Sequence, residues 1–186
     1  MEKEKIKRLF KKKLKPISDQ SDLRPAAVLV PLFQKKRKTH ILLTKRTDKV
    51  EHHKGQISFP GGAFNYEDLD CQTTALRETE EEIGVEMDSI EIMGELDHIV
   101  TVTHFRVCPY VGTIPYPYPF KLSPFEVERL IELPLDFLLK EAELKESAFT
   151  FQGQPFVNLN IVYQGDIIWG ATARILKNLL DVLYHS

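Results

Sequence analysis

The densest chemical signal in the chain is Arg77-Glu78-Thr79-Glu80-Glu81-Glu82-Ile83-Gly84-Val85. On a helix, at about 100° per residue, Glu81 and Glu82 fall about 60° to one side and about 40° to the other side of Glu78. Glu78, Glu81 and Glu82 then share one stripe, while Glu80 is turned about 160° away toward solvent. Three carboxylates on one stripe repel one another unless a cation sits among them. Mg²⁺, with Mn²⁺ as a substitute, is the hard ion that prefers such oxygen donors. An ion held there orients a phosphate, neutralises its charge and lowers the pKa of a bound water. Arg77 is placed to hold one carboxylate in its working rotamer. An acidic run alone would read as a solvated helix face, but Gly61-Gly62 upstream and the offset of Arg77 argue for a site.

Those groups need a scaffold. Residues 71–83 read as a helix stopped by Gly84 at its C-terminal cap, with Leu76, Thr79 and Ile83 turned toward a sheet. Residues 26–33 and 39–45 are short, aliphatic and β-branched, and read as a hairpin around Gln34–Lys38. Ile57–Phe59 reads as a strand entering the turn Pro60-Gly61-Gly62. Further strands are expected near 89–96 and 105–114. Pro115-Tyr-Pro-Tyr-Pro119 reads as a stiff wall beside a site. A short helix is expected after Ser123-Pro124, and another helical piece from Pro134. Residues 147–169 read as hairpin strands around Gly153 and Gly165. Residues 171–183 read as a core-packing helix with Ile175, Leu176, Leu179, Leu180 and Leu183 on one stripe. This order predicts an α/β sandwich around a mixed sheet.

The chain has 186 residues, 42% hydrophobic and 28% charged, which suits one folded domain and argues against disorder throughout. Its formal charge of -2 hides opposing blocks, +6 over residues 1–15, +6 over 34–54 and -11 over 66–97, with the rest of the chain contributing the remaining -3. Residues 1–22 are expected to form a basic helix and connector, with Ile6, Leu9, Phe10 and Leu14 on one side and Pro16 ending the helix. That helix would lie on the domain, or on a second copy in a homodimer. No aromatic–basic interleaving supports nucleic acid as a partner. Residues 23–186 are expected to form the main domain. No apolar run is long enough for a membrane span, the start has no signal-like apolar segment, and Cys71 and Cys108 stand alone, so a cytoplasmic location is expected. Cys71 reads as inert. His98 and His104 lack metal-ligand spacing, so no zinc site is expected. Trp169 reads as core rather than as a platform for adenine.

The segment Gly62–Val85 resembles the Nudix box: a glycine, five residues, Glu, seven residues, then Arg-Glu-U-x-Glu-Glu-x-Gly-U, with U aliphatic. Arg77, Glu78, Glu81, Glu82, Gly84 and Val85 match, and Thr79 stands at an aliphatic position. The spacing from Gly62 to Arg77 is one residue longer than in the general pattern, with Glu67 or Asp68 near the first Glu. The longer spacer and the upstream Leu42-Leu-Thr-Lys-Arg46-Thr47, Gly55 and Phe59-Pro-Gly-Gly62 resemble the coenzyme A pyrophosphatase subgroup. Thr47 replaces that subgroup's Ser/Ala, and Glu51 replaces its Arg. Ile168–Leu176 is similar to the start of its C-terminal helix. The resemblance covers most of residues 25–180.

The resemblance implies a Nudix fold, a mixed β-sheet sandwiched between helices (α/β/α), and Mg²⁺-dependent hydrolysis of a nucleoside diphosphate linked to another moiety. Arg77, Glu78, Glu81 and Glu82 would be catalytic, and Gly61, Glu78, Glu81 and Glu82 would hold the metal. Glu126, on a separate element, is a further candidate base or ligand, or else an acid at a helix N-terminus. Arg46, Lys54, Phe59 and Gly62 are assigned to substrate binding. The leading substrate is CoA or acyl-CoA. Glu51 favours ADP-ribose, a dinucleotide or an oxidised nucleotide instead. A catalytically silent nucleotide sensor would carry a broken carboxylate set, and this set is whole.

Overall fold

The first strand, β1 (Arg24–Lys35), is apolar on both faces because both are covered. The computed structural model describes residues 10, 22–50, 53–140, 145–151 and 154–184. β1 turns through Lys36 and Arg37, at φ 49° and 63°, into β2 (Lys38–Arg46), with Leu32 opposite Ile41. Two left-handed residues match the twist of a tight hairpin. β3 (Ile57–Ser58) pairs with the far end of β2, and β4 (Gly61–Ala63) pairs with the start of β1, Ala27 facing Gly62. The Phe59–Gly62 corner therefore fills the opening where β1 and β2 part.

α1 (Cys71–Ile83) and a short 3-10 turn (Met87–Ser89) lead to β5 (Glu91–Glu95) and β6 (Ile99–Val100). Next, β7 (Phe105–Thr113) lies parallel to β1, from Arg24 opposite Phe105 to Leu32 opposite Thr113. β8 (Val127–Pro134) pairs antiparallel with β2 and runs into α2 (Leu135–Lys140). β9 (Lys145–Phe151), β10 (Gln154–Tyr163) and β11 (Asp166–Ile168) form a smaller antiparallel sheet, and α3 (Gly170–Tyr184) follows. The larger sheet runs β3-β2-β1-β7-β5, with β4, β6 and β8 joined to its members.

Residue alternation sorts the core into two layers. Ala27, Leu29 and Leu42 face α1, where Ala75 and Ile83 are buried. Val30, Leu32, Ile41 and Leu43 face the other side, where Ile175, Leu176 and Leu179 of α3 close the layer. Buried Thr172 Oγ1 donates to the Ile57 carbonyl at 3.0 Å, tying α3 to the strand that enters the Gly61-Gly62 corner. The mixed sheet between helices is the α/β/α sandwich expected from the element order.

Two local expectations are corrected. The segment after Ser123-Pro124 is a single turn followed by β8, because Ile131 and Leu133 alternate into the core and the backbone pairs with β2 from His40 to Arg46. Trp169 is 41% exposed at the join of β11 and α3, where Ile168 takes the inward position. Of the segment expected as a basic helix, Phe10 is described and is buried against Gly94. The rest of residues 1–21, Glu51, His52 and Gly153 lie outside the described residues.

Candidate active site

α1 is fixed at both ends. Asp70 caps its start, Oδ1 accepting from the Thr73 N–H at 2.7 Å. Gly84, at φ 73°, ends it with its N–H on the Glu80 carbonyl at 2.8 Å. The last carbonyls find partners in the proline-rich loop: Lys121 N–H donates to Ile83 O at 3.0 Å and Ser123 N–H to Glu82 O at 2.9 Å. The loop is itself seated by Tyr116, stacked on Phe33 with ring centroids 4.5 Å apart. It is thus a clamp on the acidic turn of α1. Thr79, at the aliphatic position of the box, is fully buried, and its hydroxyl is satisfied by the Ala75 carbonyl at 2.6 Å.

Asp68 organises the first half of the site. Its buried carboxylate accepts from Arg77 Nε at 2.9 Å and Nη2 at 3.1 Å, from Thr74 Oγ1 at 2.7 Å and from the Asn65 N–H at 3.1 Å. The Arg77 bonds, aided by those from Thr74 and Asn65, hold its carboxyl well below the usual range. With that edge of the guanidinium occupied, Arg77 Nη1 reaches Glu78 Oε1 at 2.8 Å and Glu81 Oε2 at 3.1 Å. The chain Asp68–Arg77–Glu78/Glu81 thus sets two of the predicted carboxylates. Burial pushes the Glu78 carboxyl upward against the pull of Arg77.

Glu82 forms the other half. It is 2% exposed, and burial raises its carboxyl from 4.5 to about 8 despite Arg46, with the Glu126 and Glu78 charges adding to the rise. Arg46 Nη1 lies 3.7 Å from Glu82 Oε1. Glu82 Oε2 and Arg46 Nε are the two buried side-chain polar atoms that lack hydrogen-bond partners among the described residues. Such atoms cost about 1–3 kcal/mol each when left unmet, so their meeting here marks a site built to receive a further group.

The glycines are shaped by the same cluster. A Cβ on Gly62 would lie 2.5 Å from Glu78 Cδ, so the missing side chain is the space the carboxylate fills. Gly61 sits at φ 153°, and a Cβ there would lie 2.4 Å from the Ala27 carbonyl.

Glu81 is exposed at the rim, and Glu80 faces solvent, where it accepts the Met87 N–H at 3.2 Å. Glu126 stands in the turn before β8, close enough for its charge to act on both Glu78 and Glu82. With no helix there, the helix N-terminus explanation for Glu126 is removed. Thr47, which spacing alone could not reveal, positions it: its N–H donates to Glu126 O at 2.9 Å and its hydroxyl to Phe125 O. Lys54 is exposed on the loop between β2 and β3. Phe59 corrects its assignment to substrate binding: its ring is 2% exposed in the core layer beneath α3 and offers no surface to a ligand. Gly62 makes room for Glu78.

The basic block 34–54 is divided by geometry. Arg46 faces the carboxylates, whereas Lys35, Lys36 and Lys38 line a cleft at the opposite end of β2, about 25 Å away at 3.3 Å per residue. In that cleft Lys35 pairs with Glu132 and Arg129 with Asp166, while Lys38 lies 3.2 Å from Asp136.

Residues 23–148 match the NUDIX domain family model. The Nudix hydrolase NudL of Escherichia coli (strain K12 / DH10B) is 34% identical over 156 residues, 84% of this chain and 81% of that protein. NudL of Enterobacter sp. (strain 638) is 35% identical over 161 residues, 87% and 83% of the two chains. Among solved structures, a C. elegans Ap4A hydrolase binary complex aligns with a TM-score of 0.52 at 20% identity, covering 63% of this chain and 85% of that one. A MutT/nudix family protein from Enterococcus faecalis aligns at 0.53 and 15% identity, covering 97% and 74%. These structural likenesses bear on the fold.

Proposed function

Because the chain belongs to the Nudix family, whose hydrolases act on diphosphate bonds, we propose that it hydrolyses the pyrophosphate of coenzyme A or an acyl-CoA. The products are 4'-phosphopantetheine, or its acyl derivative, and 3',5'-ADP. The observation that carries the reading is the unfinished pair at the heart of the site, Glu82 Oε2 and Arg46 Nε, flanked by Glu78 and Glu126.

The donor set is hard oxygen on a fixed turn of helix, and it fits a divalent cation. Glu78, Glu81, Glu82 and the Gly61 carbonyl would hold Mg²⁺, with Mn²⁺ as substitute. When bound, the ion supplies charge neutralisation for the diphosphate and a more acidic water. The chain's own groups do the rest. Arg77 keeps Glu78 and Glu81 in their rotamers. Arg46 turns its unmet Nε and Lys54 its ammonium toward the substrate phosphates. Glu126, from outside α1, takes the proton as water attacks phosphorus and the bridging P–O bond breaks.

For CoA in particular, support comes from the upstream motif. Its two parts, Leu42–Thr47 and Ile57–Gly62, lie side by side, Thr44 opposite Ser58 and Lys45 opposite Ile57, and end at Arg46 beside Glu82. The hydrolase unit is read as residues 23–186, since α3 closes its core. A cytoplasmic setting suits the two free cysteines, and no described helix is long and apolar enough to cross a membrane. The test is a panel of CoA, acyl-CoA, ADP-ribose, NADH and diadenosine polyphosphates with and without Mg²⁺. CoA or acyl-CoA should turn over fastest. CoA and acyl-CoA slower than all the others would transfer the assignment to those substrates, as Glu51 in place of the subgroup's Arg would favour.

A further inference from the structure

Three side chains with metal-ligating atoms gather at the other end of α1, away from the carboxylate site. Glu95, His98 and Cys108 bring an oxygen, a nitrogen and a sulfur within 4.8 Å of one another. His98 Nε2 lies 2.6 Å from Glu95 Oε1. Cys71 lies beside Cys108. Tyr110 stands beside Glu95 and both sulfurs.

The fold explains why sequence spacing hid this group. Glu95 ends β5 directly opposite Tyr110 of β7, and Cys108 lies two residues along β7 on the same face as Tyr110. The Leu96 N–H donates to the Pro109 carbonyl at 2.9 Å, which bends the chain so that His98 returns over Glu95. Cys71, the first residue of α1, comes down onto that face from above. The residues span positions 71 to 108 and meet through the antiparallel β5–β7 pairing and one helix start.

We infer that Cys108, His98 and Glu95 form a second metal site, with Cys71 beside it, one that takes Zn²⁺ or a similar borderline-soft divalent ion. Zinc accepts thiolate, imidazole and carboxylate together in a tetrahedron whose ligand atoms lie roughly 3.3 to 3.8 Å apart, and the three ligand atoms here already lie within 4.8 Å of one another. The ion takes the place of the proton between His98 Nε2 and Glu95 Oε1. Cys108 is buried, while Glu95 and His98 are half-buried, so the ion enters past the latter two. Mg²⁺ is excluded by chemistry, since a hard ion gains little from sulfur or imidazole. Cys71 precedes Glu78 and Glu82 by seven and eleven residues, about 10 and 16 Å along the helix axis, so the two sites are separate. An ion here would brace the start of the helix whose end carries the carboxylates.

The test uses the full chain, reduced and stripped with chelator, then titrated with Co²⁺ in saturating Mg²⁺. One Co²⁺ per chain should bind with thiolate-to-cobalt charge-transfer absorption in the near ultraviolet, and one equivalent of Zn²⁺ should displace it. Cys108→Ser should abolish the band, and His98→Ala, at a half-buried position, should weaken Co²⁺ binding by at least about tenfold. Glu82→Gln should leave the band in place. No charge-transfer band at stoichiometric Co²⁺, or a band and affinity unchanged in His98→Ala, would overturn the inference.

Discussion

Glu82 governs the site one side chain at a time. Its carboxyl lies near 4.5 in the unfolded chain and about 8 in the folded one, because burial penalises its charge. The metal-free folded state therefore binds more protons than the unfolded chain between those values, and its stability falls as pH rises through the window. Thermal melts in chelator should show Tm dropping from about pH 5 to about pH 8, with Mg²⁺ restoring most at the alkaline end. Glu82→Gln should flatten that slope; an unchanged slope would place its source elsewhere. Asp68 acts in the opposite sense. Its depressed carboxyl contributes stability above the usual carboxylate range and loses it only as pH falls below that range. Asp68→Asn leaves Arg77 short of its partner and should cost about 2 kcal/mol in urea unfolding, together with weaker metal binding. The carboxylate stripe was legible because helical periodicity alone places Glu78, Glu81 and Glu82. The work of Asp68 and Thr47 was not, since it depends for Asp68 on how the loop before α1 folds over Arg77 and for Thr47 on a turn brought in from beyond residue 120. Phe59 misled for the converse reason: the motif marks a position that matters, and what it does there is pack.

The elements around α1 determine how well those side chains are held. Gly62 on β4 faces the Glu78 carboxylate so closely that a methyl group would displace it. Gly62→Ala should therefore fold normally yet lose about 100-fold or more in kcat, because an ångström-scale shift of a catalytic group is enough for that. Wild-type kcat in a variant whose melt is also unchanged would show that Glu78 tolerates movement. The helix, its glycine cap and the first hairpin could be read from caps, turns and alternation. β8 could not, since Ser123-Pro124 is a good helix start in isolation and becomes a turn only because β2 offers an unpaired edge. The proline-rich loop reads from its sequence as a stiff wall. Its use as a clamp on the C-terminal carbonyls of α1 emerges only once the two are adjacent.

Across the whole molecule, the charge of -2 divides by place as well as by sequence. The acidic block carries the carboxylates of α1, and from the basic block Arg46 reaches them while its lysine-rich turn stays at the far end of β2. The parallel pairing of β1 with β7 lets the sheet carry α1 on one face and α3 on the other, and long-range pairings of that kind leave no periodic trace in the chain. The sandwich brings the Gly61-Gly62 corner, the acidic turn and Glu126 to one end, where a diphosphate can meet all three. The most direct measurement is the conversion of CoA by purified protein in Mg²⁺ and in chelator, with products separated and identified, for wild type and Glu82→Gln. Wild type in Mg²⁺ should release equal amounts of 4'-phosphopantetheine and 3',5'-ADP, chelator should stop the reaction, and Glu82→Gln should slow it at least about 100-fold. Equal rates in Mg²⁺ for wild type and Glu82→Gln, or undiminished turnover in chelator, would contradict the proposed role of the carboxylates as metal ligands.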